Sequence, residues 1–266
     1  MNQITFDAKR IAEGYLNRPW LHKKVMEQFV KDCKITSNFQ NGLDVGCGAG
    51  LSTKALRLIC DRVTGTDISE QMIQVCQEEY KNDKAYTFYR AKAEETKEPV
   101  EKYDIVTAAG MVNWVDRDLF LRNMGCVLRD QGILLIYDFW ITDKMQGNDS
   151  YTNWYQNEYL KRFPKPPRNE TIWKQEELPD DFQIKNQITY ELAYDFSMEQ
   201  FIDFMMVQSN VNIKLESGAV NEKNARDWLE KSLTPVFENS TLESAGKAGC
   251  KAAGRGAGSG CSRTAP

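Results

Sequence analysis

Apolar and polar residues follow two rhythms along this chain. Residues 5–33 set Ile11, Tyr15, Trp20, Val25, Phe29 and Val30 at mixed spacings of three and four, the period of an amphipathic helix. Pro19 interrupts that period, so the spacing predicts two helices with a break over 17–19. From 41 to 139 short apolar runs alternate with longer helical stretches. Strands are expected near 42–46, 63–67, 85–90, 103–110 and 132–139, and helices near 51–60, 69–81 and 117–129. This order predicts an α/β fold: a doubly wound, Rossmann-like, mostly parallel sheet with N-terminal helices.

After 140 the rhythm fails. Residues 141–182 carry Tyr151, Trp154, Tyr155, Tyr159 and Trp173, with prolines at 164, 166, 167 and 179. They predict a helical cap inserted after the fifth strand, its aromatics packing the cap onto the body, walling an apolar pocket, or both. A strand over 183–194 follows, then a helix over 198–208 opened by a Ser197/Gln200 capping box, then a helix near 221–233. Beyond Asn239 glycine, alanine and serine dominate without an apolar period. Residues 1–239 are therefore expected to form the domain. Residues 240–266 are expected to be a disordered or artificially appended tail, or a native flexible one with the sheet closed differently.

Composition narrows the function. A chain of 266 residues has room for one large α/β domain with a full core, or a domain plus a lid. A net charge of −4 argues against nucleic acid or an anionic membrane as partner. No apolar run is long enough for a transmembrane helix and no secretory layout opens the chain, so a cytoplasmic location is expected. Seven scattered cysteines without a Cys-x-x-Cys suggest neither a disulfide framework nor a zinc site. The single histidine, His22, excludes histidine triads and histidine-rich metal sites, so no metal is expected. His22 itself reads as a surface or half-buried helix residue.

The densest chemistry lies at Leu43-Asp44-Val45-Gly46-Cys47-Gly48-Ala49-Gly50. Glycines at alternate positions allow positive φ and let a bulky ligand approach the main chain. A dinucleotide turn needs its third glycine one place later, where Leu51 stands. The acid Asp44 would repel a pyrophosphate and suits an ammonium. The ligand implied carries adenosine and a positive charge but no phosphate, which fits S-adenosylmethionine. Asp67 ends a second strand about twenty residues on, where such folds place a carboxylate on ribose hydroxyls. Cys47 reads as small packing in the turn rather than as a nucleophile. The turn, Asp67, Glu94 and Ala109 all fall at the carboxyl ends of strands and converge on one crevice.

The glycine turn, with Gly65-Thr66-Asp67-Ile68-Ser69 and Met72 after it, resembles the first two motifs of class I S-adenosylmethionine-dependent methyltransferases. Tyr15-Leu-Asn-Arg18-Pro19-Trp20 resembles an N-terminal motif of the small-molecule group that includes trans-aconitate methyltransferase. The resemblance implies that Asp44, Gly46, Cys47, Gly48, Gly50, Asp67, Ile68, Met72, Ala93, Glu94 and Ala109 hold the cofactor. It places a small-molecule substrate near Tyr15, Arg18, Asn113, Trp114 and Trp140, under the N-terminal helices. Ala91-Lys92 departs from the group's usual Gly-Asp, which leaves the adenine to Ala93 and Glu94. Asn113 stands where relatives commonly carry histidine, beside Trp114, and so removes the obvious general base. That departure favours a nucleophile that needs no base, a carboxylate oxygen or an amine, with Arg18 as the anchor for an acid. N- or C-methylation of another metabolite, or cofactor binding without catalysis, stand as alternatives. No catalytic residue is singled out, and the oligomeric state is not legible.

Overall fold

The computed structural model describes residues 9–167, 173–238, 247–252 and 260–263. Its floor is five parallel strands: β1 (Phe39–Val45), β2 (Cys60–Asp67), β3 (Tyr86–Arg90), β4 (Tyr103–Ala109) and β5 (Leu128–Tyr137). They lie in the order β3-β2-β1-β4-β5. The winding reverses between β1 and β4, and that reversal opens a crevice at the carboxyl ends. Register keeps the ends level, since Val45 pairs with Thr66 on one side and Ala108 on the other.

Both faces of the sheet are covered, which is why its strands read as near-continuous apolar runs. Leu135 and Tyr137 face Val25 and Phe29 of α2 (His22–Asp32) and Leu56 of α3 (Leu51–Leu56). Leu134 and Ile136, of opposite parity, face Phe120 and Met124 of α5 (Arg117–Val127). α1 (Lys9–Leu16) ends before Pro19, as expected, and lays Ile11 and Ala12 on Met72 of α4 (Glu70–Glu79).

Past β5 the structure departs from expectation. β6 (Trp140–Met145), which no alternation announced, lies in a second, antiparallel sheet. The stretch expected as one strand over 183–194 divides into β7 (Phe182–Ile184), part of the main sheet, and β8 (Tyr190–Asp195), part of the second. Two segments of the expected tail are strands. β9 (Lys247–Ala252) lies between β6 and β8, and β10 (Gly260–Arg263) runs antiparallel between β5 and β7. The expectation of an unstructured tail is corrected there. Composition measures what side chains can bury, whereas a sheet edge recruits a strand through main-chain N–H and C=O groups. The other residues of 239–266 lie outside the described residues, as do 5–8.

The cap is also larger than an insertion over 141–182. α6 (Asp149–Trp154) passes through a π-helical turn (Tyr155–Tyr159) into α7 (Leu160–Arg162). These pack on α8 (Met198–Met206), α9 (Ser209–Glu216) and α10 (Glu222–Glu238). Trp154 is the hub: its ring meets Tyr151, Tyr159, Phe201 and Trp228, and its Nε1 donates to Ser232 Oγ at 3.0 Å. α8 opens with the expected Ser197/Gln200 capping box. α9 escaped prediction because its buried positions include Asn210 and Asn212, which an apolar period passes over. Among the described residues no helix is long and apolar enough to cross a membrane.

Candidate active site

The glycine turn closes β1 onto α3 with Gly46, Gly48 and Gly50 at φ +66°, +53° and +88°. At Gly46 a Cβ would lie 2.7 Å from Met111 Cγ, so the turn tolerates no side chain there. Gly48 is different. A Cβ on it would meet only Tyr15 Cδ1, at 3.6 Å, so the space above the turn is open apart from that ring. Cys47 N–H donates to Thr66 O and Gly50 N–H to Cys47 O. Cys47 and Cys76 are buried and their thiols reach the same Gly48 carbonyl, at 3.5 and 3.2 Å. Burial pushes the Cys47 thiol well up, so it stays protonated and acts as packing.

The two strand-ending acids have different roles. Asp67 accepts Gly48 N–H through Oδ2 and Ser69 N–H through Oδ1, both at 2.9 Å. It pins the turn to β2 while Ser69 Oγ caps α4 by accepting Met72 N–H. Asp44 faces inward. Ser52 and Thr53 donate to its Oδ2 at 2.6 and 2.7 Å, and Thr107 donates to its Oδ1 at 2.7 Å. With 0% exposure it does not meet a ligand in the crevice, so its expected contact with an ammonium is corrected. Loss of water raises its pKa to about 6 against the opposing pull of the three hydroxyls. Asp44 shapes the turn from beneath.

Of the other expected cofactor residues, Ile68 is 48% exposed directly beside Asp67, an apolar side chain open to a flat ligand. Met72 is buried under α1. Ala93 is buried, with its carbonyl taken by Asn123 Nδ2, and Glu94 Oε1 accepts Asp116 N–H at 3.1 Å. Ala109 ends β4, and Gly110 after it turns at φ +68°.

The expected substrate residues separate. Asn113 and Trp140 line a cavity of about 450 Å³ between the ends of β4 and β5 and the cap. Tyr15, Arg18 and Trp114 do not line it. Arg18 stacks on Tyr15 at 3.6 Å and donates to Val207 O at 2.7 Å. It ties the break between α1 and α2 to the end of α8, so its expected place as anchor for a substrate acid is corrected. His22 is half-buried as expected. Its Nδ1 lies 2.9 Å from Tyr137 OH, and burial together with the Arg18 charge lowers its pKa to about 3, so the ring is neutral.

The cavity also gathers residues outside the expected substrate set, among them two of the cap aromatics expected to wall a pocket. Tyr155 and Tyr159 of the π-helical turn form one wall, Gln208 and Asn210 border it, and Lys165 comes from the cap. Asp138 comes from the sheet side, with Oδ1 accepting Phe139 N–H. A signal for Asp138 was present, since it is an acid ending a strand like Asp44 and Asp67. Lys165 had none.

Comparison with known proteins agrees with this architecture. Residues 43–136 match the family model described as methyltransferase domain. Ubiquinone biosynthesis O-methyltransferase of Pelagibacter ubique is 29% identical over 118 residues, 42% of this chain and 49% of that protein. Ubiquinone/menaquinone biosynthesis C-methyltransferase UbiE of Escherichia coli O1:K1 / APEC is 31% identical over 123 residues, 44% of this chain and 49% of that one. The chain thus spans about half the length of these relatives. A candidate type II methyltransferase from Anaeromyxobacter dehalogenans superposes with a TM-score of 0.65 at 19% identity, over 85% of this chain and 92% of that one. The YcgJ protein of Bacillus subtilis gives 0.53 at 13%, over 91% and 99%. Residues 43–136 thus resemble a methyltransferase domain in sequence motif, and the sheet around them shares its fold with these structures.

Proposed function

We propose that this protein transfers a methyl group from S-adenosylmethionine to a small molecule held in the cavity beneath the cap. One observation carries the reading: the cavity begins at Val112 and Asn113, immediately beyond Gly110–Met111, and Met111 packs on the glycine turn. The cofactor crevice and the acceptor space therefore share a wall.

The residues suit the cofactor. Asp67, at the end of β2 and bonded to the turn through Gly48 N–H, stands where a carboxylate accepts ribose hydroxyls in such folds. Ile68 offers the adenine an apolar face, with Ala93 and Glu94 bordering it. The open main chain over Gly48 admits the amino-acid end, and Tyr15 covers it. When bound, the cofactor supplies an electrophilic methyl on a cationic sulfur with a neutral leaving group. The protein's share is to align the acceptor, hold it close and exclude water.

For the acceptor, a carboxylate oxygen loses Arg18 as its anchor, and among the described residues Lys165 is a cation that lines the cavity instead. An acid group on the substrate is best placed at the cap side, beside Lys165. Calorimetry with S-adenosylhomocysteine, followed by mass spectrometry of acid, phenol and amine panels incubated with S-adenosylmethionine, tests the reading. Binding together with a methylated product supports it. Absence of affinity for either nucleoside refutes it, and binding without turnover of any acceptor favours a non-catalytic sensor.

A further inference from the structure

Resting on the methyl-transfer reading above, we propose that the acceptor is an aromatic ring carrying a carboxylate. The ring lies on Trp140, the carboxylate pairs with Lys165, and the methyl goes to the opposite end of the molecule. Three side chains of the cavity wall carry this assignment: Asn113, Trp140 and Lys165. Each bears a recognition group that has no partner among the described residues.

Trp140 opens β6, and its backbone is held by pairing with Lys251 of β9. Its side chain lines the cavity and yet is 40% exposed. Other indoles of this chain are engaged. Trp20 Nε1 donates to Leu51 O at 2.9 Å, Trp154 Nε1 donates to Ser232 Oγ, Trp173 lies under Arg117 at 3.7 Å, and Trp228 stacks on Trp154. Trp140 makes neither a ring contact nor an Nε1 bond of this kind among the described residues. An open indole face on a cavity wall suits a planar ring in offset stacking. Tyr155 and Tyr159 of the π-helical turn add two more rings to the lining.

Lys165 stands in the run Phe163-Pro164-Lys165-Pro166-Pro167. The prolines fix φ on both sides of it, and Pro166 disfavours helix at Lys165 itself, so a cap loop offers this cation from a stiff support. Lys144, Lys174 and Lys223 each face a carboxylate, of Glu191, Glu177 and Asp227. Lys165 has no carboxylate partner among the described residues, which leaves that place to a ligand. On the sheet side the cavity begins at Val112 and Asn113, beside Met111 on the glycine turn. An acid held at the cap is therefore a handle and not the group that is methylated. The half-buried Asn113 amide offers donors and an acceptor to a hydroxyl or amine at the inner end. There a lone pair of the acceptor bonds to the methyl carbon. The carbon–sulfur bond breaks with its electron pair kept on sulfur, and the acceptor's proton leaves to water. The carboxylate keeps its charge throughout.

The test uses the whole chain loaded with S-adenosylhomocysteine and read by calorimetry. The probes are 4-hydroxybenzoate, its uncharged counterpart 4-hydroxybenzamide and the non-planar trans-4-hydroxycyclohexanecarboxylate. Wild type should prefer the acid to the amide about fivefold at low salt, and the preference should shrink as salt rises. It should prefer the aromatic acid to the saturated one about fivefold as well. Lys165→Gln should erase the first preference and keep the second, and Trp140→Leu should do the reverse. Mass spectrometry after incubation with S-adenosylmethionine should place the methyl on the hydroxyl oxygen and leave the carboxylate free. Equal affinity of the three proteins for S-adenosylhomocysteine shows that the variants fold. No affinity of wild type for that nucleoside would sink the function proposed above and this assignment with it. Where the nucleoside binds, three results would each overturn the assignment alone: no probe held by wild type, a methyl ester as the product, or either preference surviving its own substitution.

Discussion

The half of the molecule over residues 43–136 and the cap over 140–238 solve opposite problems. The first builds its turn, the proposed cofactor site, from main chain: positive-φ glycines, amide hydrogens and one carboxylate that pins the turn. The second is a stack of rings around Trp154, joined by side chains far apart in sequence. Main-chain recognition restricts which residues a position accepts, whereas a ring stack accepts many combinations of similar volume. The contrast teaches why cofactor and acceptor sites differ so much in what their sequences disclose.

The sharpest way to break this division is at the hub. Trp154→Ala removes a fully buried indole and its hydrogen bond to Ser232 Oγ, which should cost about 3 to 5 kcal/mol of stability. If the halves are separable, urea unfolding should show an early loss of cap fluorescence. Affinity for S-adenosylhomocysteine should remain within a few-fold of wild type. A parallel collapse of both would mean that the cap is part of the cofactor site.

Gly46→Ala tests the opposite half. It combines a strained φ with a Cβ 2.7 Å from Met111 Cγ, and backbone strain alone is worth about 1 to 3 kcal/mol. Calorimetry should find cofactor affinity lowered by at least tenfold with the cap's near-ultraviolet dichroism intact. Asp67→Ala comes next in size. It frees the Gly48 and Ser69 amides, and a loss of about 1 to 3 kcal/mol in cofactor binding is expected, read from the same isotherms.

The same contrast explains what the sequence disclosed. The five parallel strands, the break at Pro19 and the capping box at Ser197 were legible because each rests on a local rule: period, a missing amide hydrogen, a side-chain cap. Asp67 was legible as the acid at a strand end. The inward turn of Asp44 was not, because it depends on Thr107, which only the sheet register brings alongside. Arg18 looked like an anchor until α8, far along the chain, placed Val207 O in front of it. β9 and β10 were hidden because pairing by backbone leaves no mark in the hydropathy pattern.

A pH series returns to Asp44 and tells the two carboxylates of the first half apart. Its folded pKa of about 6 stands above its ordinary 3.8, so between those values the native state binds more protons than the unfolded chain. Stability from this group therefore falls as pH rises from about 4 to about 6, by on the order of 3 kcal/mol in all. His22 works the other way. Held near 3 against an ordinary 6.5, it adds stability as pH rises through the same window. The two slopes oppose, and wild type should change little there. Asp44→Asn keeps a hydrogen-bonding group against Ser52, Thr53 and Thr107 but removes the first slope. Its urea midpoint should climb relative to wild type from pH 4 to pH 6, leaving the His22 dependence exposed. Midpoints that run parallel for the two proteins would mean that water reaches Asp44 and that it faces the crevice after all, as Asp67 does.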